Sequence, residues 1–389
     1  MKFTAIICEH NPLSLGHIKI LTEAKKLGNP IICIMSGNFV QRGEPAILDK
    51  YARTKHTIQA GADIVIELPT IFALSSAPDF AFGAVNILNS LNNVEYLLFG
   101  SECGNINELT NVAENLLIED NNTKTKIKEN LKEGKSFASS VINEYPILQK
   151  PNNLLAVEYI KSIKKLNSNI KPITIKREDN YNSSDGAMPS SSAIRKFLNE
   201  NRNNLSNELF KSVNICPEFV YNDVLQNGFT DISKLNNLIS FEIRKTTTES
   251  LKSINGTKEG LENKIIKEFN TNQQYDEILN NITSKRYPLS LIKRICCNNL
   301  LNVTKGIVNI AKNTKPYVKV LGIKKECLNL LSCLTNETAT LLTQKSDYLN
   351  LSKEQQKIIK PDLDASIVYS TINTNYHPES DYKIGMIKI

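Results

Sequence analysis

The sequence has no apolar stretch approaching the roughly 18 residues that a membrane-spanning helix needs, which argues against a membrane protein. Its first apolar run, Phe3–Cys8, is followed at once by Glu9. That run is too short for the apolar region of a signal peptide, and no cleavage signal follows it. We therefore expect a cytoplasmic protein that has no membrane partner.

Metal-binding and disulfide patterns are also missing. The eight cysteines stand at positions 8, 33, 103, 216, 296, 297, 327 and 333, and none forms a CxxC pair or has a histidine at ligand spacing. Cys8 and Cys33 lie inside apolar runs. The pattern predicts buried, reduced thiols rather than a zinc site or a disulfide framework.

The sequence is long enough for more than one hydrophobic core. Its 389 residues suggest two domains, or three. Hydrophobic residues make up 41% and charged residues 22%, which is typical of a soluble, globular chain. The net charge of +7 is mildly basic and by itself gives only a weak indication of an anionic partner.

Apolar strands alternate with amphipathic helices in the first half of the chain. This alternation predicts an α/β fold with a parallel sheet covered on both faces. A ligand site is then expected at the carboxyl ends of the strands, near the topological switch point. The strand patterns are Phe3–Cys8, Ile31–Met35, Asp63–Leu68, Val94–Phe99 and Pro172–Lys176, and the helical patterns are Gly16–Leu27, Asp49–Gln59, Pro78–Leu91 and Ser191–Leu198.

The second half is predicted to be mainly helical. One short strand is expected at Tyr317–Leu321, and the helical patterns are Asn207–Val213, Ile232–Ile243, Leu251–Phe269 and Leu289–Leu301. We therefore place a domain boundary between residues 1–200 and residues 201–389. Before that boundary, the Asn-, Lys- and Glu-rich stretch Asp120–Lys135 is predicted to be a solvated helical insertion or a loop.

The segment Ile7–His17 gives the clearest indication of chemistry. A strand runs into a loop shaped by Asn11-Pro12, and Gly16-His17 opens a helix. The free N–H groups and the dipole of a helix start favour phosphate. Gly16 lets the backbone approach a nucleotide closely, and His17 can donate to phosphate oxygens as charge builds in a transition state. An ordinary strand–helix turn carrying a polar histidine is the alternative.

A second motif, Ser190–Arg195, follows the last predicted strand of the first half and also opens a helix. Hydroxyls at a helix start, with Arg195 one turn later, form a second phosphate clamp. A serine N-cap beside a surface arginine would explain this motif if it stood alone. Two such motifs in one chain are far less frequent by accident.

Together the two motifs resemble the HxGH nucleotidyltransferases, and further segments resemble one family among them, the tRNA(Met) cytidine acetate ligases. Met35–Ile47, with Gly37–Pro45 at its centre, is the most specific of these segments. The similarity covers most of the chain and continues in Asp49–Arg53, Gly61–Asp63, Ile66–Pro69, Phe99–Glu102, Pro151–Ala156, Tyr287–Ser290 with Lys293-Arg294, and Tyr317–Gly322.

This resemblance implies a fold and an activity. It implies a Rossmann-like HUP nucleotidyltransferase domain that binds ATP in residues 1–200, and a mainly helical tRNA-binding domain in residues 201–389. Members of the family use ATP and acetate to make N4-acetylcytidine at the wobble base of elongator tRNA(Met). An acetyl-adenylate intermediate is therefore expected, with no DNA partner. Mg²⁺ accompanying ATP is expected on general chemical grounds, although the sequence shows no dedicated set of metal ligands.

The resemblance also implies the residues of the site. His17, Ser14 and Arg195 are the expected catalytic residues, because they are suited to neutralise the triphosphate and align an in-line attack. The expected substrate-binding residues are Gln41, Arg42, Lys285, Arg286, Lys293 and Arg294, the last four around one predicted helix that is far from the nucleotide motifs. The expected ATP-binding residues are Ile7, Cys8, Glu9, His10, Asn11, Pro12, Leu13, Ser14, Leu15, Gly16, His17, Ile18, Lys19, Ile20, Gly100, Asn153 (from the pair Asn152-Asn153) and Arg177.

Some of these roles stay open. Arg42 is expected either to meet phosphate or RNA, or to form an ion pair with Glu44. Asp63 and Glu67 either orient acetate or a metal, or hold the local structure. Residues expected to line or support the site also include Asp49 and Lys50.

Two positions depart from the family's usual pattern. Ser14 stands where the family usually has the first histidine of HxGH, and His10 stands where it usually has tyrosine. Serine is shorter but can still donate to a phosphate, and the role of the missing histidine is not assigned to His10. The departures predict weaker activity or a different phosphate geometry.

Two other functions remain open. A small-molecule adenylyltransferase of the pantetheine-phosphate or nicotinamide-mononucleotide type would share the nucleotide motifs but would not need the long basic second domain. A non-catalytic RNA-binding protein with a decayed nucleotide site would explain Ser14. ATP-dependent incorporation of labelled acetate into tRNA separates all three.

Overall fold

One sheet joins strands from both ends of the chain. The computed structural model describes residues 1–91, 93–118, 137–177, 189–213, 215–334 and 339–389. The strands are β1 Phe3–Cys8, β2 Ile31–Ser36, β3 Phe39–Val40, β4 Glu44–Pro45, β5 Ile64–Leu68, β6 Val94–Ser101, β7 Lys171–Lys176, β8 Tyr317–Ile323, β9 Thr340–Leu342 and β10 Ile387–Lys388. In this part of the chain, eight of them form one sheet in the order β10-β8-β5-β2-β1-β6-β7 with β9 beside β8, and β3 pairs with β4.

Helices fill the connections between these strands and most of the second half. The α-helices span Leu15–Lys25, Lys50–Gln59, Thr70–Ala73, Ala77–Ser90, Ile106–Ile118, Phe137–Glu144, Pro151–Lys165, Ser191–Glu200, Asn207–Val213, Glu218–Asn227, Leu235–Lys245, Thr248–Ser253, Leu261–Thr271, Tyr275–Ile282, Leu289–Leu300, Lys305–Asn313, Leu331–Leu334, Lys353–Ile372 and Ser380–Lys383. Shorter 3-10 turns lie at Pro146–Gln149, Ile232–Lys234, Lys325–Leu330 and Lys345–Asn350.

The parallel part of the sheet confirms the predicted α/β architecture. Strands β5, β2, β1, β6 and β7 run parallel to their neighbours. Every residue of β2 and β5 is buried, although successive side chains point to opposite faces. Helices must therefore cover both faces of the sheet. The chain builds outward from β1 first through β2 and β5 and then through β6 and β7, so the switch point lies between β1 and β6.

Local start and stop signals account for the helix bounds. The helix predicted at Asp49–Gln59 is confirmed as Lys50–Gln59, with Asp49 as its N-cap. The Asp49 carboxylate accepts hydrogen bonds from the backbone N–H groups of Tyr51 and Ala52, at 2.8 and 3.0 Å. This side chain satisfies two of the donors that a helix start leaves open.

The single helix predicted over Leu251–Phe269 is wrong. The structure has two helices there, Thr248–Ser253 and Leu261–Thr271. Gly256 and Gly260, between them, adopt φ values of +90° and +81°. A continuous right-handed helix cannot contain residues in that left-handed region. The prediction for residues 120–135 lies outside the described residues.

The last part of the chain returns to the sheet. The strand predicted at Tyr317–Leu321 is confirmed as β8, but it pairs antiparallel with β5, which the sequence did not indicate. Strands β9 and β10 flank its other edge. The sheet therefore contains strands from both sides of the predicted boundary at residue 200. The division into an ATP-binding part, residues 1–200, and a tRNA-binding part, residues 201–389, stays a prediction.

Two other predictions concern membrane-spanning helices and the cysteines. None of the described helices has the length and apolar character that crossing a membrane would require. All eight cysteines are free; four are buried as predicted (Cys33, Cys216, Cys296 and Cys297), and the other four are only half-buried.

Candidate active site

A cavity of about 680 Å³ opens at the carboxyl ends of β1 and β6, where the switch point predicts a ligand site. Its charged wall residues, among those the structure describes, are five cations and two carboxylates. This excess of positive charge favours an anionic ligand. The charged residues are Arg42, Arg177, Arg195, Lys293, Arg294, Glu9 and Glu44.

The motif loop after β1 is held from behind by a buried arginine. Arg53, fully buried in helix Lys50–Gln59, donates from Nη1 to the carbonyls of Glu9 and Ser36, at 2.7 and 3.0 Å. Its Nε donates to the carbonyl of Leu48 at 2.9 Å, and Nη2 donates to the carbonyl of Gly37. Arg53 thus ties the ends of β1 and β2 together.

Sequence reasoning assigned no role to Arg53. A signal was present, because the helix carries polar residues at the spacing of one helical face. That face is buried in the structure and contains Lys50, Arg53, Thr54 and Thr57. A polar stripe on a helix that packs against a buried sheet indicates side chains that bind backbone groups inside the protein.

His17 is oriented by the start of its own helix. The backbone N–H of Ser14, the N-cap residue, donates to Nδ1 of His17 at 3.1 Å, and the Ser14 hydroxyl lies 3.3 Å from the same nitrogen. Nδ1 is therefore unprotonated, and the neutral ring carries its proton on Nε2. Burial, with a smaller contribution from the Arg177 charge, lowers the pKa of His17 to about 4. The ring is a neutral N–H donor at pH 7.

The two predicted phosphate motifs meet at this loop. The Ser191 hydroxyl donates to the carbonyl of Pro12 at 2.9 Å, and Arg195 Nη1 donates to the carbonyl of Asn11 at 2.7 Å. Arg195 also lies 3.4 Å from a carboxylate oxygen of Glu44. Helix Ser191–Glu200 therefore forms one wall of the cavity, and Ser190 accepts from Ala193 N as its N-cap.

Glu9 and Glu44 are the carboxylates of the wall, and both are engaged. Glu9 Oε1 accepts from the backbone N–H of Gln41 at 2.7 Å and from the Ser36 hydroxyl at 3.3 Å, while burial raises the pKa of Glu9. Glu44 lies between Arg195 and Lys293, with the second pair at 3.7 Å. The alternative ion pair between Arg42 and Glu44 is not formed; Arg42 is exposed at the cavity wall.

At the end of β6, a glycine keeps the floor of the cavity open. A Cβ on Gly100 would lie 2.9 Å from Cγ of Arg177, closer than side chains tolerate without moving. Arg177 Nη1 is 3.5 Å from Oδ1 of Asn152. Asn152 borders the cavity, whereas the predicted Asn153 is buried and accepts from the backbone N–H groups of Glu102 and Cys103.

Helix Leu289–Leu300, from the second half, closes the opposite side. Lys293 and Arg294 border the same cavity as His17, so the expectation that they lie far from the nucleotide motifs is wrong. Arg294 donates to the carbonyl of Gln41 at 3.2 Å. The close approach needs Gly43, at φ +76°, because a Cβ there would lie 2.4 Å from the backbone nitrogen of Arg294.

Lys285 and Arg286 are exposed and do not border this cavity. Several residues of the predicted ATP stretch are also not part of its wall. Leu13, for example, is fully buried in a second apolar cluster with Ile47 and Ile194. The residues not on the wall are Pro12, Leu13, Leu15, Gly16, Ile18, Lys19 and Asn153.

Lys50, Asp63 and Glu67 hold structure away from the cavity. Lys50 and Lys319 bind Glu67 and Asp381 in a buried cluster, with Lys50 Nζ 2.9 Å from Glu67 Oε1. Asp63 accepts from Ile31 N and from Lys324 Nζ. In the described part of the chain, no group of three or more His, Cys, Asp or Glu side chains could hold a metal ion.

This fold and site define a nucleotidyl transferase: the model of the HIGH Nucleotidyl Transferase family matches residues 1–383. The chain is 38% identical over 411 residues to the tRNA(Met) cytidine acetate ligase of Clostridium perfringens, covering 100% of this chain and 99% of the relative. It is 36% identical over 414 residues to that of Clostridium botulinum, covering 98% and 97%. The chain belongs to the tRNA(Met) cytidine acetate ligase family.

A solved structure supports the same placement. The fold matches the crystal structure of Thermotoga maritima TmcAL bound with alpha-thio ATP with a TM-score of 0.90, 29% identity and 100% coverage of both chains. The apo form of that protein matches with a TM-score of 0.89.

Proposed function

We propose that this protein activates acetate with ATP to acetyl-adenylate and transfers the acetyl group to N4 of the wobble cytidine of elongator tRNA(Met), in the cytoplasm. The observation that carries the proposal is the convergence of both phosphate motifs and helix Leu289–Leu300 on one cationic cavity. Family membership supports the identity of the substrates.

In this proposal the triphosphate binds at the start of helix Leu15–Lys25. The open backbone N–H groups of that helix, the Nε2–H of His17 and the guanidinium groups of Arg177 and Arg195 all donate hydrogen bonds that favour negative charge. A neutral donor such as His17 gains strength as charge develops on the phosphate oxygens, which lowers the barrier.

Ser14 then has a supporting role. Its hydroxyl and backbone N–H both lie against Nδ1 of His17, so it fixes the tautomer that presents Nε2–H to the cavity. The histidine that the family usually has at this position is longer than serine and would reach further into the cavity. With Ser14 engaged by His17, the site has one phosphate donor fewer than a site with both histidines. The reaction is expected to proceed with this reduced set.

Mg²⁺ is proposed to enter with ATP, held mainly by phosphate oxygens. Since no group of three or more His, Cys, Asp or Glu side chains among the described residues could hold a metal ion, phosphate oxygens and water would supply its ligands. The ion would neutralise phosphate charge during the first step.

The first step makes acetate reactive. An acetate oxygen attacks the α-phosphorus of ATP, the bond to the β-phosphate oxygen breaks, and pyrophosphate leaves. The enzyme contributes positioning and charge neutralisation, because no group of the protein needs to bond to the substrate. AMP is then a good leaving group in the second step, when N4 of cytosine attacks the acetyl carbon.

The tRNA is proposed to bind across the mouth of the cavity. Gln41, Arg42, Lys293 and Arg294 lie at its wall, and Lys285-Arg286 lie outside on the preceding loop. Phosphate contacts of this kind supply affinity, while an anticodon base can unstack and enter a pocket.

Pyrophosphate exchange tests the chemistry directly. With acetate present, labelled pyrophosphate should be incorporated into ATP, and complete reactions with tRNA should release AMP and pyrophosphate. Release of ADP and phosphate instead would overturn adenylate chemistry.

A further inference from the structure

A second histidine lies beside His17. His10 is 2% exposed, borders the cavity, and has its ring centroid 4.7 Å from that of His17. Its φ of +43° lies in the left-handed region, which residues other than glycine adopt rarely and at a cost. The fold thus holds an imidazole in an unfavourable backbone conformation at the site of the reaction.

Hydrogen bonds fix which nitrogen of His10 carries the proton. Nδ1 of His10 lies 2.7 Å from Oγ1 of Thr57. The Thr57 hydroxyl donates to the carbonyl of Arg53 at 2.8 Å, so it accepts from Nδ1–H of His10. The neutral ring therefore has its lone pair on Nε2, which has no hydrogen-bond partner among the described residues.

The two neighbouring rings consequently have opposite tautomers. His17 presents Nε2–H, because its Nδ1 accepts from Ser14, whereas His10 presents a lone pair. Burial, together with the nearby His17 and Arg53, lowers the pKa of His10 well below its usual range, so the ring stays neutral at pH 7. One ring can donate a hydrogen bond to the ligand and the other can accept one.

The acyl-transfer step needs such an acceptor. When N4 of cytosine attacks the acetyl carbon, the nitrogen must lose a proton as the carbon–oxygen bond to AMP breaks. Glu9 accepts two hydrogen bonds, both on Oε1, and Glu44 lies between two cations. Nε2 of His10 is an imidazole nitrogen on the wall whose lone pair faces no hydrogen-bond donor among the described residues of the protein.

We propose that His10 is the base of the acetyl transfer. Its Nε2 accepts the proton of the attacking N4 amine, the new carbon–nitrogen bond forms, and AMP leaves with the electron pair of the broken carbon–oxygen bond. The proposal rests on the proposed function, because it assigns a residue to the second step of that reaction.

Two substitutions test the assignment while respecting the left-handed backbone. Asparagine and glycine both tolerate a positive φ, so His10→Asn and His10→Gly should fold. Each variant is assayed for acetate-dependent pyrophosphate exchange, which reports the first step, and for single-turnover transfer from preformed acetyl-adenylate to tRNA. The His10→Gly variant is assayed with and without added imidazole, and a reaction lacking tRNA measures any acetyl group lost to imidazole itself.

We expect transfer to fall by about 10²-fold or more, as is typical when a general base is removed, and to fall at least tenfold more than exchange. Imidazole should restore transfer in His10→Gly. His17→Asn, in contrast, should lower exchange. Equal loss of both steps in the His10 variants, no loss of transfer, or absence of rescue by imidazole would overturn the assignment. If the wild-type protein itself shows no acetate-dependent exchange, the proposed function fails with it.

Discussion

Gly16 allows a clean test of nucleotide contact. It lies in the first turn of helix Leu15–Lys25, and a Cβ added there would meet only Ser14 Oγ, at an ordinary 3.7 Å. Gly16→Ala should therefore leave the melting temperature unchanged or slightly higher, since alanine favours a helix over glycine.

The same methyl group should nevertheless weaken ATP binding at least about tenfold if the backbone approaches the nucleotide closely, a loss of roughly 1.4 kcal/mol. Calorimetric titration with ATP measures it. Unchanged affinity in the folded variant would place the phosphates elsewhere.

His17 should also make stability depend on pH. Its folded pKa of about 4 lies below the ordinary 6.5, so the unfolded chain takes up a proton as pH falls below about 6.5 while the folded ring stays neutral. Stability is therefore lost between about pH 6.5 and 4. Denaturant unfolding of His17→Gln should show a shallower loss across that window than the wild type.

The matched substitution for this test is His377→Gln, at an exposed position. It controls for the loss of an imidazole in general. If the wild type and His17→Gln lose stability equally on acidification, the buried, neutral state assigned to His17 is incorrect.

At the residue scale, the sequence predicted the two phosphate motifs but not which of their atoms face the ligand, nor that helix Leu289–Leu300 lies beside them. The resemblance favoured Asn153, yet Asn152 borders the cavity, because Asn153 turns inward to hold the loop after β6. A one-residue difference on a helix rotates a side chain by about 100°, which a motif match does not resolve. The tautomers of His10 and His17 depend on contacts with Thr57 and Ser14 that only the folded chain brings together.

At the scale of elements, helix Leu289–Leu300 links the two functions. The chain offers a matched pair of Lys-Arg dipeptides, Lys285-Arg286 outside the cavity and Lys293-Arg294 on its wall. Double alanine substitution of the outer pair should weaken tRNA binding and leave ATP affinity unchanged. Each lost phosphate contact should flatten the log–log salt slope of binding by about 0.7–0.9.

The same double substitution of Lys293-Arg294 should lower both ATP and tRNA affinity. The melting temperature is checked for both variants, since Arg294 also binds the Gln41 carbonyl. If the two double variants changed ATP affinity and tRNA affinity in the same way, the placement of helix Leu289–Leu300 at the cavity would be contradicted.

Most parallel strands and their helices were predictable because short apolar runs of strand length alternate with longer amphipathic segments along the first half of the chain. The break between Thr248–Ser253 and Leu261–Thr271 was not, since isolated glycines inside a helical pattern do not by themselves reveal a positive φ. The pairing of β8 with β5 was equally hidden, because antiparallel addition across 250 residues leaves no local signal.

At the scale of the whole molecule, a buried charge cluster holds the end of the chain to the sheet. Asp381 binds both Lys50 and Lys319, and the lysines also bind Glu67, so two positive and two negative charges balance. Those ion pairs hold the pKa of Asp381 well below its usual range. Removing one partner would leave buried positive charge without compensation.

Asp381→Asn should therefore lower the free energy of unfolding by about 3–5 kcal/mol. Asp364→Asn, which removes the carboxylate of a partly exposed i,i+4 ion pair with Lys360, should change the free energy of unfolding by only about 0.5 kcal/mol. Chemical denaturation measures both. Equal, small effects would show that the cluster does not anchor the C-terminal segment.

Incorporation of labelled acetate into tRNA is the most direct test of the central claim. The purified protein is incubated with labelled acetate, ATP and total tRNA, and the tRNA is digested to nucleosides. Label should be recovered as N4-acetylcytidine from elongator tRNA(Met), only with ATP and with one AMP released per acetyl group. ATP consumption without label in tRNA, or transfer of an adenylyl group to a small molecule, would contradict the account.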